Sequence, residues 1–185
     1  MTKPFPLSMR PRLLDLFCGA GGAAVGYHRA DFDVIGVDHK PQPRFPFEII
    51  QTDALDYLAA HGREFDAIHA SPPCQGYSAM RHLPWLKDRV YPLLIEPLRE
   101  LLRATGRPWV IENVERAPLN GIMLCGLHFG LRLYRHRKFE SNVLLFAPGG
   151  HPRHPEVLFP GGAKSRPGVL RPKVGLNHRA ASGVL

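Results

Sequence analysis

The stretch Arg12-Leu13-Leu14-Asp15-Leu16-Phe17, then Cys18-Gly19-Ala20-Gly21-Gly22, then Ala23 to Ala30, decides the fold of this chain. A short, nearly unbroken apolar run reads as a strand buried on both faces. The glycines after it permit a tight turn and close approach of backbone to a ligand. The segment from Gly21 to Ala30 reads as a helix that opens in small residues. Strand, glycine turn and helix in that order form the first half of a unit with parallel strands and a crossover helix.

The pattern repeats downstream. Val34-Ile35-Gly36-Val37 reads as a second strand ending at Asp38, and Phe47-Glu48-Ile49-Ile50-Gln51 as a third. Asp53 is placed to cap a helix over Ala54–His61, with Gly62 as its stop. Phe65 to Ala70 reads as a fourth strand and Trp109-Val110-Ile111 as a fifth. Between them a helix is expected over Tyr91–Ala104. Pro92 suits its first turn, but Pro97 would kink it or delay its start. A short helix near Ile122 to Leu127 and a strand pair near Lys138 to Phe146 are expected to close the sheet. The fold class is therefore α/β: a doubly wound, open, mostly parallel, Rossmann-like sheet, with its core in residues 12–147.

Bulk composition narrows the rest. With 185 residues the chain suits one domain with a real core. No run is long and apolar enough to span a bilayer, and residues 1–11 form an extension without the apolar segment of a secretory signal. Three cysteines at wide spacings argue against a disulfide framework or a CxxC zinc site, so no metal is expected and a reducing, cytoplasmic setting is. The formal charge of +8 suggests a polyanionic partner. Residues 148–185 hold six Lys/Arg against one acid, with six Pro and seven Gly, and are expected to be a poorly ordered tail.

Two further motifs carry chemistry. Pro72-Pro73-Cys74-Gln75 puts a thiol after a rigid diproline at the end of the fourth strand. Glu112-Asn113-Val114 puts a carboxylate at the end of the fifth. Open α/β sheets bind ligands at those carboxyl ends. A thiolate adding to C6 of cytosine turns C5 into an enamine-like nucleophile, and a carboxylic acid facing N3 eases the addition. Buried cysteine is more often a small hydrophobe, and Cys18 and Cys125 read that way. Arg135-His136-Arg137 alternates two guanidinium groups, suited to a base carbonyl or a phosphate, or to a solvated edge strand. The loop with Arg81, His82, Lys87 and Arg89, and with Tyr77 and Trp85 as apolar contacts, could close over a phosphate backbone. The glycine loop alone separates neither a nicotinamide cofactor from S-adenosylmethionine nor either from a ligand-free turn.

Together these residues resemble the cytosine-C5 DNA methyltransferase family. Asp15 to Gly22 looks like its S-adenosylmethionine loop, and Ser71 to Ser78 like its catalytic motif, with Cys74 as nucleophile. Glu112-Asn113-Val114 looks like the motif whose Glu holds the base. Arg135 and Arg137 look like the arginines of a QxRxR motif whose glutamine is Leu133 here. The resemblance implies a cofactor set of Phe17, Cys18, Gly19, Ala20, Gly21, Gly22, Asp38, His39, Asp53, Ala54 and Pro72, with Asp38 on the ribose and Asp53 at the adenine. It implies a catalytic set of Cys74, Glu112, Arg137 and Arg135, substrate contacts from Pro73, Gln75, Ser78, Asn113 and Val114, and DNA as partner. Only 48 residues follow Arg137, with no target-recognition region or returning motif among them. An RNA substrate, a silent binding module, or one part of a split enzyme completed by a second polypeptide are the competing expectations.

Overall fold

A computed structural model describes residues 10–78, 89–131 and 133–150. Among the described residues seven strands are accompanied by helices, four of the strands paired in parallel and three antiparallel. In chain order the elements are β1 (Arg12–Leu16), α1 (Gly22–Arg29), β2 (Asp33–Asp38), β3 (Glu48–Gln51), α2 (Ala54–His61), β4 (Ala67–Ala70), α3 (Ile95–Thr105), β5 (Trp109–Asn113), β6 (Ile122–Cys125) and β7 (His136–Ser141). The chain divides into two compact units. One holds the segments up to Ser71 and Glu96–Trp109. The other holds Pro72–Ile95 and the chain from Val110 onward.

In the first unit four strands lie side by side in the order β3-β2-β1-β4, all parallel. The register pairs Asp15 with Gly36 on one side and with His69 on the other. The chain runs outward from β1 through β2 to β3, then returns by α2 to β4 on the other side of β1. Right-handed crossovers taken in opposite directions place α1 and α2 on opposite faces, which is the doubly wound arrangement. β2 shows why its sequence is so apolar: Val34 to Asp38 are all buried. Leu13, Cys18, Ala24, Val34 and Phe45 form a core cluster, with Tyr27, Phe32, Phe47, Ile49 and Ala67 packed against it. α2 begins as its sequence predicts. Asp53 accepts hydrogen bonds from Leu55 N (2.8 Å) and Asp56 N (3.1 Å).

The second unit carries the antiparallel part, in the order β5-β7-β6. β5 alternates buried Trp109, Ile111 and Asn113 with half-buried Val110 and Glu112. It runs two residues beyond the expected end, so Glu112 and Asn113 lie inside the strand.

Three expectations are corrected. Ile122–Cys125 is a strand followed by a 3-10 turn over Gly126–Phe129, not a helix. Pairing with β7 supplies the partner that a four-residue apolar run cannot specify alone. The expected strand pair over Lys138–Phe146 is one strand, His136–Ser141. Val143, Leu144 and Phe146 lie beyond it and are exposed. α3 starts at Ile95 rather than Tyr91, which puts Pro97 in the first turn, where a missing N–H costs no helical hydrogen bond.

Candidate active site

In the first unit, the direction of winding reverses between β1 and β4. Their carboxyl ends are joined by hydrogen bonds from Ser71: its N donates to Leu16 O (3.2 Å) and its Oγ to Phe17 O (3.3 Å). A crevice at such a reversal is the ligand position of open α/β sheets. The turn after β1 takes left-handed backbone three times, at Phe17 (φ 58°), Gly19 (φ 51°) and Gly21 (φ 87°). A bulky residue with positive φ is strained, and such strain gathers at ligand sites. A Cβ on Gly21 would come within 2.8 Å of Pro46 Cδ, whereas one on Gly19 would meet nothing within 4 Å. Gly21 is therefore required by packing, and Gly19 borders open space.

Asp38 closes this turn from the end of β2. Its Oδ2 accepts from Gly19 N (3.1 Å) and its Oδ1 from Lys40 N (2.9 Å), with His39 Nδ1 at 3.4 Å. Cys18 faces inward, buried. Burial first, then Asp15 and Asp38, pushes its thiol up to about 12, so it stays protonated at neutral pH. Ala54 is buried too, leaving its backbone as the part it could offer a ligand. Ala20, Gly22, His39 and Asp53 are exposed.

Asp15 is the group that sequence reasoning left unassigned. It is 1% exposed, and neither carboxyl oxygen closes a hydrogen bond. Burial chiefly, with a smaller push from Asp38, raises it to about 7 against a pull from the Ala24 backbone. An orphaned acid, an open left-handed turn and a carboxylate at the next strand end fit a ligand with cationic and hydroxyl-bearing parts, as S-adenosylmethionine has.

In the second unit, one hydrogen bond organises the reactive motif. The Asn113 amide donates from Nδ2 to Pro72 O (2.8 Å, buried), and its Oδ1 accepts from Val114 N (2.9 Å). The end of β5 is thereby tied to the diproline, with Cys74 two residues along one chain and Glu112 one residue back along the other. Asn113 was expected to contact substrate, but both ends of its amide are engaged within the protein. Cys74 O accepts from Tyr77 N (3.0 Å) and Ser78 N (2.9 Å), so the backbone turns sharply after the thiol. The turn is anchored again where Ile95 N donates to the Tyr77 hydroxyl (3.2 Å). Pro72 is buried, Pro73 and Cys74 half-buried, and Gln75 exposed. Asn113→Ala should lower unfolding free energy by about 1–3 kcal/mol in urea denaturation, because Pro72 O loses its buried donor.

Glu112 and Arg137 meet through strand register. Glu112 pairs with Phe139, which puts Arg137 on the same face at the diagonal position, within reach of a long side chain. Arg137 Nε lies 2.5 Å from Glu112 Oε1. Arg137 Nη1 also donates to His136 O (2.9 Å), which fixes the guanidinium. Burial drives the Glu112 carboxyl above its ordinary value, while Arg137 and then Arg135 pull it back. The acid form of this carboxyl therefore persists to higher pH than that of an exposed glutamate, a setting suited to proton transfer. Arg135 precedes β7, exposed, and His136 pairs with Glu115 at 3.6 Å. Arg81, His82, Trp85 and Lys87 of the expected phosphate-binding loop lie outside the described residues, as does the tail from 151 to 185.

No group of His, Cys, Asp or Glu that could hold a metal occurs among the described residues, and no described helix is long and apolar enough to cross a membrane. Three curated bacterial relatives are similar to this chain in sequence. The type II methyltransferase M.XorII of Xanthomonas oryzae pv. oryzae is 30% identical over 159 residues, covering 77% of this chain and 34% of that protein. M.FnuDI of Fusobacterium nucleatum is 29% identical, covering 56% and 32%. M.AquIA of a Picosynechococcus strain is 29% identical, covering 58% and 50%. The chain thus spans a third to a half of the length of these relatives. Residues 11–118, more than half the chain, match the family described as C-5 cytosine-specific DNA methylase. With the glycine turn, the Cys74 turn and Glu112 all inside that match, this chain belongs to the C-5 cytosine-specific DNA methylase family.

Proposed function

We propose that the chain transfers a methyl group from S-adenosylmethionine to C5 of cytosine in duplex DNA through a covalent bond between Cys74 and C6. The observation that carries this reading is the Asn113–Pro72 hydrogen bond, which tethers the thiol-bearing turn to the strand bearing Glu112. Phe17 to Gly22, Asp38, His39, Asp53 and Ala54 of the first unit would hold the cofactor. When bound, it supplies an electrophilic methyl group to C5.

The groups of the second unit act on the base. A cytosine inside a stacked duplex shows neither ring face, so the base is extruded first. The Cys74 thiolate then forms a bond to C6, and Glu112 holds a proton at N3. This moves electron density to C5, the atom that accepts the methyl group. Arg137 keeps Glu112 aligned and offers its remaining N–H groups to the base, while Arg135 adds positive charge beside it. Pro73, Gln75, Ser78 and Val114 border the base. After methylation a base takes the proton from C5, the Cys74–C6 bond breaks, and the thiolate is restored.

A duplex with 5-fluorocytosine at the target tests the covalent step, because fluorine at C5 cannot leave as a proton does. The expected result is a denaturant-stable protein–DNA complex, mapping to Cys74, that forms only with the cofactor. An enzyme that methylates ordinary duplexes yet gives no such complex would overturn the addition step. Transfer of label to tRNA with none to DNA would reassign the substrate.

A further inference from the structure

Beneath α1 the first unit buries a small titratable cluster that the proposed chemistry does not use. β1 contributes Asp15, β4 contributes His69 directly opposite it, α1 contributes Tyr27, the glycine turn contributes Cys18, and β2 contributes Asp38. Tyr27 Oη and His69 Nδ1 are 3.1 Å apart, so those two satisfy each other. Burial lowers His69 to about 4 and raises Tyr27 to about 12, with Asp15 adding to the latter. With Cys18 also near 12, the histidine, the phenol and the thiol are all neutral at physiological pH. Asp38 has its own backbone donors at Gly19 and Lys40. Asp15 has none that closes a hydrogen bond. A buried carboxylate that closes no hydrogen bond, with only the Ala24 backbone pulling it down and a second carboxylate nearby, is costly as an anion, so the acid is favoured unless a cation lies beside it.

We infer that Asp15 makes cofactor binding proton-linked: it stands as a neutral acid beneath the glycine turn and ionises when a cationic ligand settles there. The inference rests on the cofactor reading above and adds a proton to its equation. The O–H bond of Asp15 breaks, the proton passes to solvent, and the carboxylate left behind faces the positive charge of the ligand, its ammonium or its sulfonium. Because a proton and the ligand then compete, affinity must rise with pH below the Asp15 value of about 7.

Calorimetric titration of the full chain with S-adenosylmethionine near pH 6, in two buffers of different ionisation enthalpy, reads the proton directly. The expected result is release of a sizeable fraction of one proton per ligand, with affinity rising by up to about 10-fold per pH unit below neutrality. Asp15→Asn should abolish both the release and the pH dependence. If that variant does not fold, the Asp15 carboxyl 13C resonance of the wild type should still move from its acid to its carboxylate position on adding ligand. S-adenosylhomocysteine, which keeps the ammonium and lacks the sulfonium, shows which charge is responsible: release with both ligands supports the ammonium, and release with the methylated one alone supports the sulfonium. Binding with no proton exchanged and an unmoved resonance would overturn the inference alone. Absence of binding by either compound at any pH would overturn the cofactor reading and this inference with it.

Discussion

Cys74→Ser is expected to lower methyl transfer to cytosine duplexes by about 10^4-fold or more, the scale seen when a covalent nucleophile is removed, while the melting temperature stays close to wild type. The structure explains both halves. Cys74 is half-buried, and its backbone rather than its side chain holds the turn, through the bonds to Tyr77 and Ser78. Serine can occupy that turn without disturbing it. Its hydroxyl, however, ionises far less readily than a thiol and is the poorer nucleophile toward C6. The measurement is transfer of label from S-adenosylmethionine to duplex DNA, with circular dichroism as the folding control. Cys18→Ser and Cys125→Ser are the matched controls, since both side chains are buried and Cys18 is held firmly as the thiol. Equal transfer by wild type and Cys74→Ser would sink the nucleophile assignment.

How much of this could be read from sequence depended on whether the signal was local. The β1–turn–α1 unit and the Asp53 cap of α2 were legible because glycine, aspartate and an apolar run act on their immediate neighbours. β6 was misread because Ile122-Met123-Leu124-Cys125 is too short for a period to distinguish helix from strand, and what decides it is the distant β7. The Glu112–Arg137 contact depends on a register that no spacing reveals: the partners lie 25 positions apart in the chain, and the diagonal exists only once Glu112 faces Phe139. The alternation Arg135-His136-Arg137 suggested paired guanidinium groups; β7 begins at His136, Arg137 forms the ion pair with the carboxyl, and Arg135 acts on it through its charge. Asn113 was picked out by its motif, yet its observed work is to hold Pro72. Asp15 was quoted within the glycine-loop motif but given no role, since one acid in an apolar strand shows its cost only when neighbours bury it on every side and close no hydrogen bond to it.

Glu112→Gln is expected to reduce turnover by about 10^2–10^4-fold, the usual contribution of a positioned acid–base group, with a much smaller change in duplex affinity. Glutamine matches glutamate in volume and can still accept a hydrogen bond from Arg137, so the β5–β7 contact survives. What it cannot do is exchange a proton with N3. The pH profile gives the sharper discrimination. Burial raises the Glu112 carboxyl, so its acid form persists to higher pH than an exposed glutamate allows, and the two arginines limit that rise. If the acid form is the working form, wild-type turnover falls as pH climbs through the raised value. Glu112→Gln should erase the alkaline fall. Removing the Arg135 charge should move the alkaline limb upward, because that charge stabilises the Glu112 anion. Saturating-duplex turnover measured across pH for wild type, Glu112→Gln and Arg135→Met checks all three. A glutamine variant that keeps wild-type turnover and loses only affinity would confine Glu112 to holding Arg137 in place, and the proton at N3 would need another source.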